Sequence, residues 1–255
     1  MDAILSTSIG IIFVYVSFWF LVWLVYKRND IADIVWWSVY IIICLYFISL
    51  WDISTRQWII YSLVFLRWTR LIVHIYMRNK NKKEDFRYAN RRKLRWKRFV
   101  LRSYLQIYLL QWAIAWIIMA PIYLVRISSP SELWLIDYLW VIIWIAWFLC
   151  ESISDYQLKA FKADQNNSWK ILDTWLWKYS RHPNYFGESL MWWWIFIVGL
   201  SASYGIYWII SPLMITFLLL HVSWIPMLEK KYETNTEYQK YKHKTSRFIP
   251  LPPKS

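Results

Sequence analysis

About seven apolar runs, separated by basic or short polar segments, decide what this chain can fold into: residues 9–26, 34–50, 58–76, 104–124, 133–150, 190–210 and 213–227. Crossing the hydrocarbon of a bilayer takes about 20 mostly apolar residues as a helix. None of the runs shows the alternating pattern of a membrane strand, and a helix satisfies its own backbone hydrogen bonds in lipid. The expected fold is therefore all-α: a polytopic integral membrane protein of about seven transmembrane helices with a structured cytoplasmic cap. No repeat, low-complexity tract or linker divides residues 1–255, so a single integral-membrane domain is expected.

Composition enters because 58% hydrophobic residues coexist with 30 Lys and Arg and a net charge of +14. Such a mixture folds only if the charge is segregated. Residues 78–98 carry eleven Lys/Arg against two acids, residues 156–182 five against two, and residues 229–255 seven against three. With Lys27 and Arg28 these segments hold 25 of the 30 basic residues. Basic segments beside membrane spans follow from the positive-inside bias and from attraction to anionic lipid. No motif supports nucleic-acid binding, which is not expected.

Placing every basic segment in the cytoplasm puts the N-terminus on the far side and the C-terminus inside, because the span count is odd. Only Arg56 and Arg126 then fall on the far side, with Asp52 and Glu132 as counterweights. Trp and Tyr crowd the span ends, as at Trp36-Trp37, where amphipathic rings suit the interface. Cys44 and Cys150 both lie in apolar runs without metal-like or disulfide-framework spacing. The first run lacks a basic lead and a small-residue cleavage pattern, and is expected to be an anchor rather than a signal peptide.

Polar chemistry concentrates in SRHPNYFGE, residues 180–188, directly before LMWWWIFIVGL. Ionisable groups so close to hydrocarbon are costly unless they line a cavity or hold a ligand. Pro183 pushes His182 out of helical geometry, and Asn184 to Glu188 are predicted to form the first turn of the next span. A helix start offers free N–H groups and a positive dipole end. Asn184 and Glu188, four apart, project together, and Gly187 permits close approach of another backbone or a flat ring.

Further polar groups recur at the same ends of other spans. Arg70, His74 and Arg78 share one helix face at a spacing of four, with Asn79 beside the last. Glu151 and Asp155 share a face in FLCESISDYQLKAFK, followed by Lys159 and Lys162. Two carboxylates so placed suit an acid/base pair, a metal site, or acceptors for a ligand's amide and hydroxyl groups. No His-x-x-x-His or Cys cluster completes a coordination sphere, so no metal is expected. The tail alternates aromatic and basic residues, with Tyr232 and Tyr241 beside Lys230, Lys231 and Lys242, as in a surface amphipathic helix or a flap over an anionic, aromatic ligand.

Taken in order, Trp175-Leu176-Trp177, SRHPNYFGE, SPLMITFLLL, IPMLEKK and YQKYKHKTSRFIPLPP resemble the steroid 5-alpha-reductase superfamily, and within it the branch known by a domain of unknown function. Asp33 with Trp36, WTRLIVHIYMRN, EDFRY at 84–88 and ESISDYQLKAFK extend the resemblance over nearly the whole chain. Two positions depart from the pattern: Trp175 stands where Gly is usual, and Trp224 where Gly often follows Ser.

The resemblance implies a membrane reductase that holds NADPH in a cavity open to the cytoplasm and delivers hydride to a carbon–carbon double bond conjugated to a carbonyl. It implies that Asn184 and Glu188 meet the nicotinamide, and that Glu151 and Asp155 meet the cofactor's polar middle or ribose. Arg70, His74, Arg78, Asn79, Lys162, Lys170, Arg181 and His182 would serve its phosphates, its adenosine and the mouth of the site, with Tyr232 and Tyr241 closing over them. The second span lacks the carboxylate that polarises the carbonyl in animal steroid reductases. Tyr40, Tyr46 and Tyr61 are the candidates to replace it, with Tyr46 and Tyr61 grouped with Glu188 as catalytic. The expected partners are membrane lipid and a lipophilic substrate: steroid-like, polyprenoid or fatty-acyl. Bacterial inner membrane and endoplasmic reticulum are both compatible. The alternative is an S-adenosylmethionine-dependent methyltransferase like those acting on isoprenylcysteine carboxyl groups. That family shares the RHPxYxG core but usually carries a Glu-Glu pair where this chain has Glu229-Lys230.

Overall fold

A computed structural model describes residues 3–26, 31–50, 52–80, 96–128, 133, 135–167, 169–200, 205–222 and 224–254. Most of the basic segment at 78–98, including EDFRY, lies outside the described residues. Among the described residues the structure is all-α, without strands, and five of its helices are long and apolar enough to cross a membrane. It is an all-α membrane protein. The expected seven long spans appear as five, because Asp33–Ser49 is apolar but shorter and the helix Pro183–Gly199 has 17 residues. The described residues before 133 and those from 133 onward form two compact units.

The first unit contains α1 (Ala3–Tyr26), α2 (Ile31–Ser49), α3 (Thr55–Asn79), α4 (Trp96–Ser103) and α5 (Leu110–Ile127), with a π-helical stretch, Tyr104–Leu109, leading into α5. Ser54 opens α3 through a reciprocal capping box: its hydroxyl accepts from the Gln57 amide N–H, while the Gln57 side chain accepts from the Ser54 N–H. The Gln57 side-chain amide then donates to the carbonyls of Val125 at 2.8 Å and Arg126 at 3.0 Å, which pins the start of α3 to the end of α5. Tyr15 and Ser38 join α1 to α2 through their hydroxyls, 2.7 Å apart. The core is aromatic: Trp37 stacks on Trp68 with centroids 4.8 Å apart, and the buried Arg67 guanidinium lies 3.5 Å from the Trp68 ring centroid. Such a cation–π contact keeps an arginine inside an apolar helix without a water shell.

In the second unit α6 (Leu135–Ala163) is followed by the short 3-10 turns Gln165–Asn167 and Trp175–Lys178, and then by α7 (Pro183–Gly199). Beyond the 3-10 turn Gly205–Ile209 come α8 (Ile210–Phe217), a π turn Leu218–Val222, α9 (Trp224–Lys231) and α10 (Thr236–Lys244). Large apolar side chains are exposed along α6 at Leu139, Ile142, Ile145 and Leu149, and along α1 at Val14, Phe18, Leu21 and Val25. Outward faces of this kind belong in hydrocarbon rather than water.

Between the last two apolar runs, Ile209-Ile210-Ser211-Pro212 is expected to form a short turn of a hairpin, and the structure corrects this. Those residues open α8, because proline is tolerated in a helix's first turn, where its missing N–H has no partner to lose. Ahead of α8, a Cβ at Gly205 would sit 2.9 Å from the Gly199 carbonyl oxygen at the end of α7. Only glycine fits so close an approach.

Candidate functional site

The nine residues of SRHPNYFGE divide at the proline. Pro183 occupies the first turn of α7, and His182 caps it with φ −141° and ψ 58°, outside helical geometry as the sequence predicts. Asn184 to Glu188 form the opening turn, aimed along α6.

On the α6 side, Gly187 sits against Glu151. A Cβ at Gly187 would lie 3.3 Å from the Glu151 Cβ and 3.5 Å from the Trp147 carbonyl oxygen, so the glycine is what lets the two helices cross here. The crossing brings the α6 carboxylates to the start of α7. Asn184 donates its side-chain N–H to Asp155 Oδ1 at 3.1 Å, which fixes the orientation of the amide. Its Oδ1 is consequently turned away, buried, and without a hydrogen-bond partner among the described residues. Glu151, Asp155 and Glu188 are all buried. Asp155 and Glu151 thus meet the first turn of α7 at Asn184 and Gly187, and Glu188 is buried one turn further on.

On the other side of the proline the chain is bound to its own C-terminal tail. Arg181 donates from Nε to Glu229 Oε1 at 2.9 Å and pairs with it through Nη2 at 2.8 Å. Its Nη1 donates to the carbonyls of Lys242 at 2.8 Å and Thr245 at 3.1 Å. The His182 Nε2 lies 3.3 Å from the same Glu229 oxygen, and Arg247 Nε lies 3.6 Å from Glu229 Oε2. Burial holds the His182 imidazole below its usual pKa against the opposing pull of Glu229, with Arg181 and Arg247 acting in the same sense as burial. Tyr241 donates its hydroxyl to the Trp177 carbonyl, and Ser180 donates to the Phe248 carbonyl at 2.7 Å. Backbone bonds from Arg181 N–H to the Ser246 carbonyl and from Leu251 N–H to the Tyr179 carbonyl complete a clasp between loop and tail. Burial pushes the Tyr238 and Tyr241 phenols well above their ordinary pKa, so both hydroxyls remain donors.

The structure thus joins Asn184 to Asp155, Gly187 to Glu151, and Arg181 to His182 through Glu229. Glu188 is buried one turn beyond Asn184. Arg181, expected to face phosphates, directs its donors to Glu229 and the tail, and Tyr241 turns inward to the loop backbone. Tyr232 stacks against Tyr238 with centroids 5.4 Å apart, while Lys162 and Lys170 are exposed. Arg70, His74 and Asn79 are half-buried on α3 of the first unit; the Arg78 side chain lies outside the described residues. Tyr46 and Tyr61 flank Phe47 in that unit, and the buried Tyr61 hydroxyl has no hydrogen-bond partner among the described residues. Glu229, the hub of the clasp, is the residue that motif reading passed over. The signal was present: a lone acid at the end of an apolar run, facing a chain segment rich in arginine and lysine.

Residues 19–245 match the family model described as Protein of unknown function (DUF1295). The chain belongs to that family. The match runs from within α1 to just past the end of α10, so it contains Glu151, Asp155, Asn184, Glu188 and Glu229, and leaves outside it the tail partners Ser246, Phe248 and Leu251. No curated protein and no solved structure matches the chain.

Proposed function

We propose that this protein is an NADPH-dependent membrane reductase of a carbon–carbon double bond conjugated to a carbonyl in a lipophilic substrate: steroid-like, polyprenoid or fatty-acyl. The observation that carries the reading is the Asn184 amide, locked by Asp155, with its oxygen buried and without a hydrogen-bond partner among the described residues. A buried acceptor without a partner costs roughly 1–3 kcal/mol, which a ligand N–H restores. A carboxamide such as that of nicotinamide supplies that donor. When bound, the nicotinamide supplies the hydride.

Every other part belongs to the chain. Glu151 and Asp155 accept from ribose hydroxyls, and Glu188, one turn deeper on α7, orients the reacting end. The clasp holds His182 as the helix cap and so fixes where the first turn of α7 begins. Exposed Lys162 and Lys170 supply charge for phosphates, including the extra phosphate that separates NADPH from NADH. A lipid-facing protein surface suits a substrate that arrives through the bilayer.

One observation favours a second reading. Buried carboxylates on α6 and α7 also suit a cationic ligand, and S-adenosylmethionine carries an ammonium and a sulfonium. Titration calorimetry of the full chain in mild detergent separates the two. The reductase reading expects NADPH to bind more tightly than NADH or S-adenosylmethionine, and Asn184→Leu to weaken NADPH by about tenfold with an unchanged Tm. Binding of S-adenosylmethionine with no dinucleotide affinity refutes the reductase and supports the methyltransferase.

A further inference from the structure

Trp175 adopts φ +58°, the left-handed region that a side chain with a Cβ rarely occupies. Its indole is 73% exposed and makes no hydrogen bond, ring stack or cation contact among the described residues. Two residues on, Trp177 is buried and donates its indole N–H to the Ser154 carbonyl, so the turn has already placed one tryptophan in the core. Among the described residues, no hydrogen bond, ring stack or cation contact of the Trp175 side chain offsets that strain.

The neighbours show what repays it. Tyr179 is half exposed, and its carbonyl accepts from the N–H of Leu251, which brings the exposed Leu251 and Ile249 beside it. Exposed lysines accompany these residues in the chain: Lys178 lies in the same turn as Trp175, and Lys254, three residues after Leu251, donates its N–H to the Lys244 carbonyl. Asp173 is the acid closest in sequence. Apolar rings and branched chains accompanied by lysine match the headgroup layer of a bilayer, where indoles settle and lysines reach outward to phosphates. The clasp is built on α7 and α9, and α9 closes a stretch, Gly205–Lys231, that is apolar enough to span.

We infer that the face formed by Trp175, Tyr179, Ile249 and Leu251 is an interfacial anchor that seats the loop–tail clasp on an anionic leaflet. Trp175 is its keel, held in a strained conformation because lipid compensates. The inference does not depend on which cofactor the protein binds.

The test uses the full chain as wild type, Trp175→Gly and Trp175→Ala, in detergent, in phosphatidylcholine nanodiscs and in nanodiscs containing phosphatidylglycerol. In detergent, Trp175→Gly raises Tm by about 2–8 °C through relief of left-handed strain, while Trp175→Ala, which keeps a Cβ, changes it little. In anionic nanodiscs the advantage of the glycine variant shrinks or reverses, and the alanine variant falls below wild type. A nitroxide attached at Leu251→Cys relaxes faster with oxygen than with a water-soluble nickel chelate. An equal glycine advantage in all three media overturns the proposal, as does a nitroxide governed by the nickel chelate. Loss of nucleotide affinity in Trp175→Ala without any dependence on lipid assigns the indole to a soluble ligand instead, and overturns it too.

Discussion

Removing the Glu229 carboxylate is expected to loosen the tail. Its side chain is 11% exposed and that of Arg181 6%, and the pair is joined by contacts of 2.8 and 2.9 Å. Breaking one partner out of a buried ion pair costs about 3–5 kcal/mol, because the remaining charge stays desolvated. Arg181 keeps two backbone carbonyls on Nη1, so the lower end applies and Glu229→Ala should cost about 3 kcal/mol. For a chain of this size that corresponds to a fall in Tm of roughly 6–12 °C. Glu229→Gln retains one acceptor and should lose about half as much. Thermal unfolding in one detergent, with Arg181→Ala and the double variant beside it, completes a cycle. A coupling below about 0.5 kcal/mol, or a fall in Tm under about 2 °C, refutes the assignment of Glu229 as the fastening of the clasp.

Two more outcomes follow from the same geometry. Because His182 is held below its unfolded value of about 6.5, the unfolded chain binds protons that the folded chain does not in the interval between the two values. Stability therefore rises with pH through a window ending near 6.5, and is lowest on its acid side; His182→Gln should flatten that rise, and a wild-type Tm already flat across the window contradicts it. Gly187→Ala forces a Cβ to within 3.3 Å of Glu151, so α6 and α7 must part by tenths of an ångström. The cost is about 1–2 kcal/mol of stability together with weaker NADPH binding, measured on the same preparation; full affinity with an unchanged Tm would mean that the crossing is loose.

Local rules carried the parts of the fold that are local. The proline at the start of α7 and the polar turn behind it follow from one residue's missing N–H and its effect on its predecessor. The close helix crossing at Gly187 was legible for the same reason, since a missing Cβ permits it wherever the partner comes from. Partnership over long separations was not legible. Arg181 and Glu229 stand 48 residues apart, and no periodicity links them. The carboxylate and tail carbonyls that take the Arg181 donors were therefore not foreseen from the sequence. Proline at 212 misled in the opposite direction: it marks a helix start as readily as a turn, and here it stands in the first turn of α8.

That Pro183 separates two sets of partners gives the motif its logic. Residues before it are fastened to Glu229 and the tail; residues after it are packed on α6, with Asn184 fixed by Asp155. Ring closure at proline stiffens the junction, so the order of the clasp is transmitted to the register of the first turn of α7 without any side chain spanning both sides. Changes before the proline should then appear first as lost stability and only secondarily as lost affinity. Changes at Asn184 should do the reverse. On the proposed function, the polar residues of the motif are thus divided between holding the ligand site and lining it, and position relative to Pro183 decides which.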